Sequence, residues 1–369
     1  MTISPSIDPS LVTGAWRGGD PSGRRQFVDI GDLQLDSGRT IPDVRIAYES
    51  WGEFDGSNAV LVLHALTGDS HVSGPAEAGH PTVGWWDAIV GPGKPVDTNR
   101  HHVVAANILG GCQGSTGPSS RDADGLPWGG SFPDLTVRDQ VRAEVALADA
   151  LGIRTWRAVM GGSAGGMRAL EWAIEHPERV ERLFLLATSA YASADQIALS
   201  STQIDAIRTD GAFFGGDYYD GPHGPLHGLD LARRMAHISY RSETELSQRF
   251  GRDVQDDGRF AVVSYLQHHG AKLVSRFDAN SYILLSAAMN SHDVGRDRGG
   301  IAAALARVTA RTVVAGIDSD RLYPLYQQQE LADGIPDAAP LEVVRSDYGH
   351  DGFLVEADRV GQLARDLLA

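Results

Sequence analysis

The chemistry that this chain can perform is centred on residues 161–165, which read Gly-Gly-Ser-Ala-Gly and fit the pattern G-x-S-x-G. In that pattern a serine occupies a sharp, strained turn between a strand and a helix, where its hydroxyl is exposed to substrate. An apolar run, residues 156–160, precedes the turn, and a run of good helix formers, residues 167–174, follows it. The glycines leave room for the strand and the helix to approach each other. This context favours Ser163 as a nucleophile over the alternative, a glycine-rich turn without chemistry.

A serine hydroxyl is a weak nucleophile unless a base removes its proton, so the chain must also supply a histidine and an acid. In folds that carry this turn, the partners follow in the chain order serine, acid, histidine. Of the 13 histidines, His350 is the one that follows the last predicted strand. Two aspartates, Asp318 and Asp320, follow the strand before it. The pattern therefore predicts His350 as the base and leaves the acid open between the two aspartates.

Acyl transfer also needs hydrogen-bond donors for the oxyanion that forms in the transition state. One predicted donor is the backbone N–H of Ala164 at the start of the helix, and the other is the backbone N–H of Leu66, in the loop after an early strand. His64 begins that loop, and we interpret it as a structural residue at a strand end. No specific base is apparent for the lone cysteine, Cys112, and a small buried residue is its commoner role.

Metal binding and phosphate binding are the other chemistries that the sequence raises. His268 and His269 form one pair of imidazoles, and His223 and His227 form another, but neither pair has a clustered acid or cysteine at ligand spacing. The glycine-rich segment 110–115 does not match a phosphate-loop pattern. We therefore predict no metal site.

The elements that position these residues follow from the hydrophobic pattern. Segments with strand character are 27–35, 44–51, 59–64, 103–109, 156–160, 182–187, 312–317 and 341–344. The first two alternate apolar and polar residues, as edge or antiparallel strands do, whereas the later ones are continuous apolar runs typical of strands buried on both faces. Helical patterns over 136–151, after the serine turn and over 356–368 alternate with them. The alternation predicts a doubly wound, mostly parallel sheet, and the G-x-S-x-G turn within it is the one found in α/β-hydrolase folds, so we predict that fold.

A second region interrupts this alternation between about residues 190 and 308. Helical patterns dominate it, and they cover residues 194–209, 229–239, 243–249 and 260–277. We interpret the region 190–308 as an inserted helical lid, and residues 1–189 together with 309–369 as the catalytic α/β domain.

Charge and composition limit the partners of this 369-residue chain. Its net charge of −16 argues against nucleic acid and anionic membranes, and it means that an anionic substrate must meet a local cationic patch. A single cysteine excludes a disulfide within the chain and fits a reducing compartment. Residues 1–10 lack the basic start and apolar core of a signal peptide, and no apolar stretch is long enough to span a bilayer. We therefore expect a cytoplasmic protein.

The order of short motifs along nearly the whole chain resembles that of the homoserine O-acetyltransferases, α/β-hydrolase-fold acyltransferases of methionine biosynthesis. The matching segments are 48–52, 64–68, 84–87, 91–94, 110–118, 132–136, 161–173, 232–233, 237–242, 319–324 and 349–352. The chain departs from the family pattern at Ala164, where methionine is usual. The substitution does not affect a role that depends on the backbone N–H.

The resemblance implies the catalytic triad Ser163, Asp320 and His350, and thus selects Asp320 as the acid. It implies a ping-pong reaction in which acetyl-CoA, a co-substrate rather than a bound cofactor, acetylates the serine and L-homoserine then accepts the acetyl group. The family is homodimeric, with helices of the insertion forming the lid and the interface.

The resemblance also implies residues that bind the acceptor. Arg233 would hold the homoserine carboxylate, Asp351 would attract its ammonium, and Tyr240 would line the same pocket. A swap of roles between Arg233 and Arg234 stays open. Related enzymes use a succinyl donor or a serine acceptor, and segment 110–118 resembles the type that uses acetyl and homoserine. An esterase or thioesterase on the same fold, or a binding protein without activity, are the alternatives.

Overall fold

The computed structural model describes residues 7, 8 and 10–369. The segment used to judge a signal peptide, residues 1–10, therefore lies mostly outside the described residues. Within the described part of the chain, no helix combines the length and the apolar character needed to cross a membrane.

The described residues form one eight-stranded sheet and a small two-stranded one. The ten strands are β1 (Gln26–Gln34), β2 (Thr40–Trp51), β3 (Ala59–Leu63), β4 (Val90–Gly91), β5 (Val96–Asp97), β6 (His102–Ala106), β7 (Ala158–Gly162), β8 (Arg182–Leu186), β9 (Arg311–Ile317) and β10 (Glu342–Val344). The main sheet has the order β1-β2-β6-β3-β7-β8-β9-β10. Strand β2 is antiparallel to β1 and to β6. The strands β6, β3, β7, β8, β9 and β10, which are neighbours in that order, all run parallel to one another. The predicted antiparallel start and parallel centre are thus confirmed.

The strand register places the functional loops side by side. Strands β3 and β7 are buried along their whole length, as expected for central strands covered by helices on both faces. Leu63 at the end of β3 pairs with Gly161 of β7, and Gly162 pairs with Leu186 of β8. Since the carboxyl ends of parallel strands meet at one edge, the loop after β3 lies next to the serine turn after β7.

Eleven α-helices occur in the described part of the chain. They are α1 (Val137–Ala150), α2 (Ala164–Glu175), α3 (Ala194–Arg208), α4 (Leu226–Tyr240), α5 (Glu243–Phe250), α6 (Ala261–Val274), α7 (Ala279–Asn290), α8 (Ile301–Leu305), α9 (Leu325–Gly334), α10 (Gly352–Val355) and α11 (Ala357–Leu368). Thr136 caps α1 in a capping box with Asp139, as their spacing predicts. Helices α1, α2 and α9 contribute to the core on one face of the sheet, and α11 contributes to the core on the other.

Helices α3 to α8 lie between β8 and β9, where the sequence predicts the insertion. Helix α4 packs against α3 and α6, and their apolar side chains share a separate core cluster. The exact domain boundaries stay a prediction. The sequence analysis missed α7, because most of its side chains are buried all round and no polar stripe marks a helical period.

A buried ion pair joins helix α2 to helix α1. Arg168 is fully buried and donates to Glu144 of α1, which also accepts the Trp172 indole N–H at 2.8 Å. The Arg168 Nη2 donates to the His64 carbonyl oxygen at 2.6 Å. The same arginine therefore ties the helix that follows the serine to the start of the loop that carries Leu66.

Candidate active site

Ser163 occupies a strained turn between β7 and α2. Its backbone has φ 57° and ψ −125°, a conformation that residues other than glycine rarely adopt. The neighbouring glycines make the turn possible: a Cβ on Gly161 would lie 2.2 Å from the Gly165 carbonyl oxygen, and one on Gly165 would lie 2.1 Å from the Leu63 carbonyl oxygen. The strain is therefore maintained by close contact between the strand and the helix.

His350 and Asp320 are in hydrogen-bond contact, as the histidine and the acid of a catalytic triad would be. The His350 Nδ1 lies 2.6 Å from Asp320 Oδ2, and the other oxygen, Oδ1, accepts backbone N–H groups of Leu322 at 2.8 Å and Tyr323 at 2.9 Å. With Nδ1 as the donor, Nε2 is left free to act as a base. The alternative acid, Asp318, instead accepts the Ser346 N–H at 2.9 Å. The structure thus brings Asp320, and not Asp318, to the histidine.

The nucleophile and the base are both buried, and no hydrogen bond joins Ser163 to His350 among the described residues. Tyr323 lies beside both residues: burial raises the pKa of its hydroxyl, and the neighbouring Ser163 side chain acts in the opposite direction. The Tyr323 ring also stacks on the His350 ring, with centroids 5.0 Å apart. Catalytic hydrogen bonds are often looser before substrate binds, so this arrangement is compatible with a triad.

Burial of the imidazole disfavours its charged form and is the largest single influence on the pKa of His350. The charge of Asp320 and its hydrogen bond act in the opposite direction. Together they outweigh burial, so the pKa of His350 lies above its ordinary value of 6.5.

This shift predicts the acid limb of the activity. Only neutral His350 accepts the Ser163 proton, so kcat/KM should be lost as pH falls through the raised pKa, which places the limb above pH 6.5. Asp320→Asn removes the charge that raises the pKa and keeps the burial that lowers it. The limb should therefore move to lower pH, while the plateau falls by about 10⁴-fold. A pH profile of both proteins measures this, and an unmoved limb would contradict the assignment of Asp320.

The predicted oxyanion donors are available for a ligand. The backbone N–H groups of Leu66 and Ala164 have no acceptor within the described part of the chain. His64 is structural, as the sequence suggests: its Nδ1 lies 2.7 Å from the Ala65 carbonyl oxygen, and its Nε2 accepts the Ile108 N–H at 3.2 Å. Cys112 is buried, and burial raises the pKa of its thiol far above the ordinary value, which argues against a nucleophilic role.

Arg233 of α4 points toward the triad. Its Nη1 donates to Thr67 Oγ1 at 3.2 Å, and its guanidinium lies 5.4 Å from the centre of the Tyr240 ring. That ring lies 5.8 Å from the His350 ring. Arg234, the alternative, forms an ion pair with Asp230 one turn earlier on the same helix. The structure therefore favours Arg233 as the arginine open to a substrate anion.

Asp351 lies next to the base but already has a cationic partner. Its carboxylate is 3.2 Å from Arg241 Nε. Burial raises the pKa of Asp351, and the charges of Arg241 and His350 only partly oppose this. A substrate ammonium at this carboxylate would therefore share it with Arg241.

A cavity beside the triad has no charged lining residue. It is lined by Leu66, Met167, Ala192, Gln196, Leu199, Ser200, Gln203, Ser239, Tyr240, Ser286, Met289, Asn290, Leu322 and Tyr323. The lining is therefore apolar or neutral and polar, which suits an uncharged acyl group better than a charged one.

One group of three potential metal ligands occurs among the described residues, and it contains neither of the histidine pairs that the sequence analysis considered. It consists of Glu49, His71 and His80. Glu49 accepts the Ser70 hydroxyl at 2.7 Å, and its other oxygen lies 3.1 Å from His71 Nδ1. The His80 Nε2 lies 3.3 Å from the Arg24 backbone N and 3.3 Å from Glu49 Oε1, so it contacts the protein on both sides. We interpret the group as a buried hydrogen-bonded cluster that anchors the loop after Leu66.

Comparison with known proteins agrees with this geometry. Residues 58–357 match the family model for the alpha/beta hydrolase fold. The homoserine O-acetyltransferase of Thermobifida fusca (strain YX) is 60% identical over 371 residues, covering 98% of each chain. That of Clavibacter michiganensis subsp. michiganensis is 57% identical, covering 97% of this chain and 95% of the relative. The chain belongs to the homoserine O-acetyltransferase family.

Solved structures place the family among related hydrolases. The homoserine O-acetyltransferase from Bacillus anthracis is 27% identical with a TM-score of 0.85, covering 93% of this chain and 97% of that one. Esterase E22 is 26% identical with a TM-score of 0.86, covering 94% of this chain and 99% of that one. The fold is therefore shared between homoserine O-acetyltransferases and esterases, and it does not by itself separate the two activities.

Sequence reasoning missed some residues of this homoserine O-acetyltransferase-type site. Tyr323 contacts two triad residues: its ring stacks on His350, and its backbone N–H donates to Asp320. Thr67 and Arg276 meet beside Leu66, where the Arg276 Nη1 donates to the Thr67 carbonyl oxygen at 2.8 Å. Tyr323 stands within a motif that the sequence analysis quotes, whereas Arg276 carries no local signal of its own.

Proposed function

We propose that the protein transfers an acetyl group from acetyl-CoA to the hydroxyl of L-homoserine, giving O-acetyl-L-homoserine and CoA, in methionine biosynthesis. The observation that carries the proposal is an arginine without a carboxylate partner beside a serine–histidine–aspartate triad. Arg233 forms no ion pair within the described part of the chain. An amino acid acceptor needs such a cation for its carboxylate, whereas a simple ester hydrolase does not. The names of the curated relatives support the same acceptor.

In the first half-reaction, Ser163 Oγ attacks the carbonyl carbon of the acetyl thioester while His350 Nε2 takes the hydroxyl proton. Asp320 stabilises the imidazolium that forms, and the N–H groups of Leu66 and Ala164 hold the oxyanion. The carbon–sulfur bond then breaks, and the CoA thiolate takes the proton from the imidazolium. The product is an acetyl ester of Ser163.

In the second half-reaction, the homoserine hydroxyl gives its proton to His350 and attacks the acetyl carbon. The bond to Ser163 Oγ breaks, and His350 returns the proton to the serine. Arg233 holds the carboxylate of the acceptor, Tyr240 lines its pocket, and Asp351 attracts its ammonium beside Arg241. Water competes with the acceptor, so the enzyme must position the alcohol better than it positions water. We propose that the inserted helices act as the lid.

An acetyl donor fits the site better than a succinyl donor. The lining of the cavity next to Tyr323 and Leu66 has no charged residue and includes neither Arg233 nor Arg276, so the free carboxylate of a succinyl group inside it would contact no cation. We further propose a homodimer in the cytoplasm with no permanently bound cofactor. The oligomeric state and the absence of a bound cofactor are testable on the purified protein, and the location is testable by fractionating cells.

The decisive experiment is release of free thiol from acetyl-CoA with and without L-homoserine. Steady-state release should depend on homoserine, and double-reciprocal plots at several homoserine concentrations should be parallel. With acetyl-CoA alone, mass spectrometry should find an acetyl group on the peptide that contains Ser163. Succinyl-CoA, as the matched donor, should release little thiol. Intersecting lines together with no adduct would point to direct transfer instead.

A hydrolase is the second candidate, and the likeness to esterase E22 is the observation that favours it. The same thiol assay separates the two functions. A hydrolase would release thiol at the same rate whether or not homoserine is present, and it would form no O-acetyl-L-homoserine. Such a result would replace the acyltransferase proposal.

A further inference from the structure

Two arginines from different parts of the inserted region contact the same residue, Thr67. We call the loop after β3 that carries Leu66 and Thr67 the oxyanion loop. Arg233 of α4 donates to the side chain of Thr67 at 3.2 Å, and Arg276, which follows α6, donates to the carbonyl oxygen of Thr67 at 2.8 Å. Thr67 directly follows Leu66, whose N–H is a predicted oxyanion donor. Both guanidiniums therefore lie close to the place where the acyl group is transferred.

Within the described part of the chain, neither guanidinium forms a direct ion pair with a carboxylate, although the charge of Asp351 also interacts with Arg233. Among the residues that the structure describes, no ion pair includes Arg233 or Arg276, although the chain has 48 acidic residues. The Nε of Arg233 is buried and has no hydrogen-bond partner. Asp69 is the acidic residue that attracts Arg276, while Arg233 repels it. Lys272, one turn before Arg276, is repelled by both arginines.

Two half-buried cations that repel each other, in a chain of net charge −16, form a site that an anion would stabilise. The planar fork of a guanidinium suits a carboxylate, and the orphaned Nε of Arg233 supplies one donor that no residue of the protein uses. The phosphates of CoA are a poor match for this position, since the pantetheine arm holds them far from the thioester that must reach Ser163.

We propose that Arg276 is a second arginine of the acceptor site, and that it binds the α-carboxylate of the acceptor together with Arg233. The inference rests on the proposed function, because it takes an α-amino acid alcohol as the acceptor. In this proposal, Arg233 and Arg276 together make the enzyme select acceptors that carry a carboxylate over alcohols that lack one. An acceptor without one would leave both charges buried and unpaired.

The competing role for Arg276 is to brace the oxyanion loop through the Thr67 carbonyl. The two half-reactions distinguish these roles. A brace is needed for both half-reactions, since Leu66 serves the oxyanion in each. A carboxylate receptor is needed only in the second, since acetyl-CoA has no carboxylate at that position.

The test compares Arg276→Met and Arg276→Lys with wild type, each half-reaction measured separately. Acetylation is followed by thiol release in a single turnover, and deacetylation by transfer to L-homoserine or to 3-aminopropan-1-ol, which is homoserine without its carboxyl group. Arg276→Met should lower kcat/KM for homoserine by about 30-fold or more. Acetylation, and the slow transfer to 3-aminopropan-1-ol, should change less than about threefold. The kcat/KM of Arg276→Lys for homoserine should lie between that of wild type and that of Arg276→Met, because lysine keeps the positive charge but lacks the planar pair of donors.

Arg307→Met is the matched control, because Arg307 is exposed and its loss also removes one positive charge. It should leave both half-reactions unchanged. Thermal melting of every variant checks folding. If the methionine variant is unstable, the comparison of the two half-reactions is made with the lysine variant. Equal losses in acetylation and deacetylation would overturn the proposal in favour of the brace. If acetylated wild-type enzyme transferred no acetyl group to homoserine, the proposed function itself would be wrong, independently of the results for the variants.

Discussion

Ser163→Ala is expected to abolish turnover while leaving the fold intact. We propose the Ser163 hydroxyl oxygen as the atom that bonds to the acetyl group, and the thiol of Cys112 cannot replace it, since that thiol is buried with a strongly raised pKa. The loss should be on the order of 10⁴-fold or more. Alanine fits the turn as well as serine does, because both carry only a Cβ at the strained backbone with φ 57°. The residual rate is measured by thiol release with both substrates present.

Two further observations make the Ser163→Ala result decisive. Mass spectrometry after incubation with acetyl-CoA should find no acetyl adduct on the variant, and its melting temperature should match that of wild type. Retention of a tenth of wild-type turnover would show that another residue is the nucleophile. A large drop in melting temperature would instead mean that the loss reports on the fold and not on the chemistry.

The second large effect is expected for Gly165→Ala, and it concerns stability. A Cβ at this position would lie 2.1 Å from the carbonyl oxygen and 2.8 Å from the carbonyl carbon of Leu63, both of them backbone atoms of a central strand. Backbone in the middle of a sheet yields less easily than the end of a side chain, so α2 must move away from β3. We expect the free energy of unfolding to fall by about 3 kcal/mol, at the upper end of the usual cost of overpacking.

Gly211→Ala is the matched control, since a Cβ there would meet no atom within 4 Å. Denaturant titration of both variants compares their unfolding midpoints at equal protein concentration. The Gly165 variant should also lose activity, because moving α2 displaces Ser163 and the loop that carries Leu66. Similar midpoints for the two variants would contradict the view that close contact of strand and helix maintains the serine turn.

Local pattern was enough to predict most of the fold. The buried central strands have continuous apolar sequences, and helix α1 begins at a capping box that four consecutive residues encode. The serine turn is also local, because strand, glycines and helix are adjacent in the chain. Helix α7 was missed for the opposite reason: its side chains are buried by contacts from several elements, which erase the amphipathic period that sequence reasoning depends on.

The sequence by itself predicted Ser163 as the nucleophile and His350 as the base, because the turn around Ser163 is a local structure and His350 follows the last strand in the order that the fold requires. The residue pattern left the acid open, since Asp318 and Asp320 are two positions apart and both follow β9. Only the tertiary structure decided this, by bringing Asp320 Oδ2 to 2.6 Å from His350 Nδ1. It also decided where the cations meet. Arg276 contacts Thr67 across 209 positions of sequence, and no periodicity or spacing encodes a contact between the segment after α6 and the loop after β3.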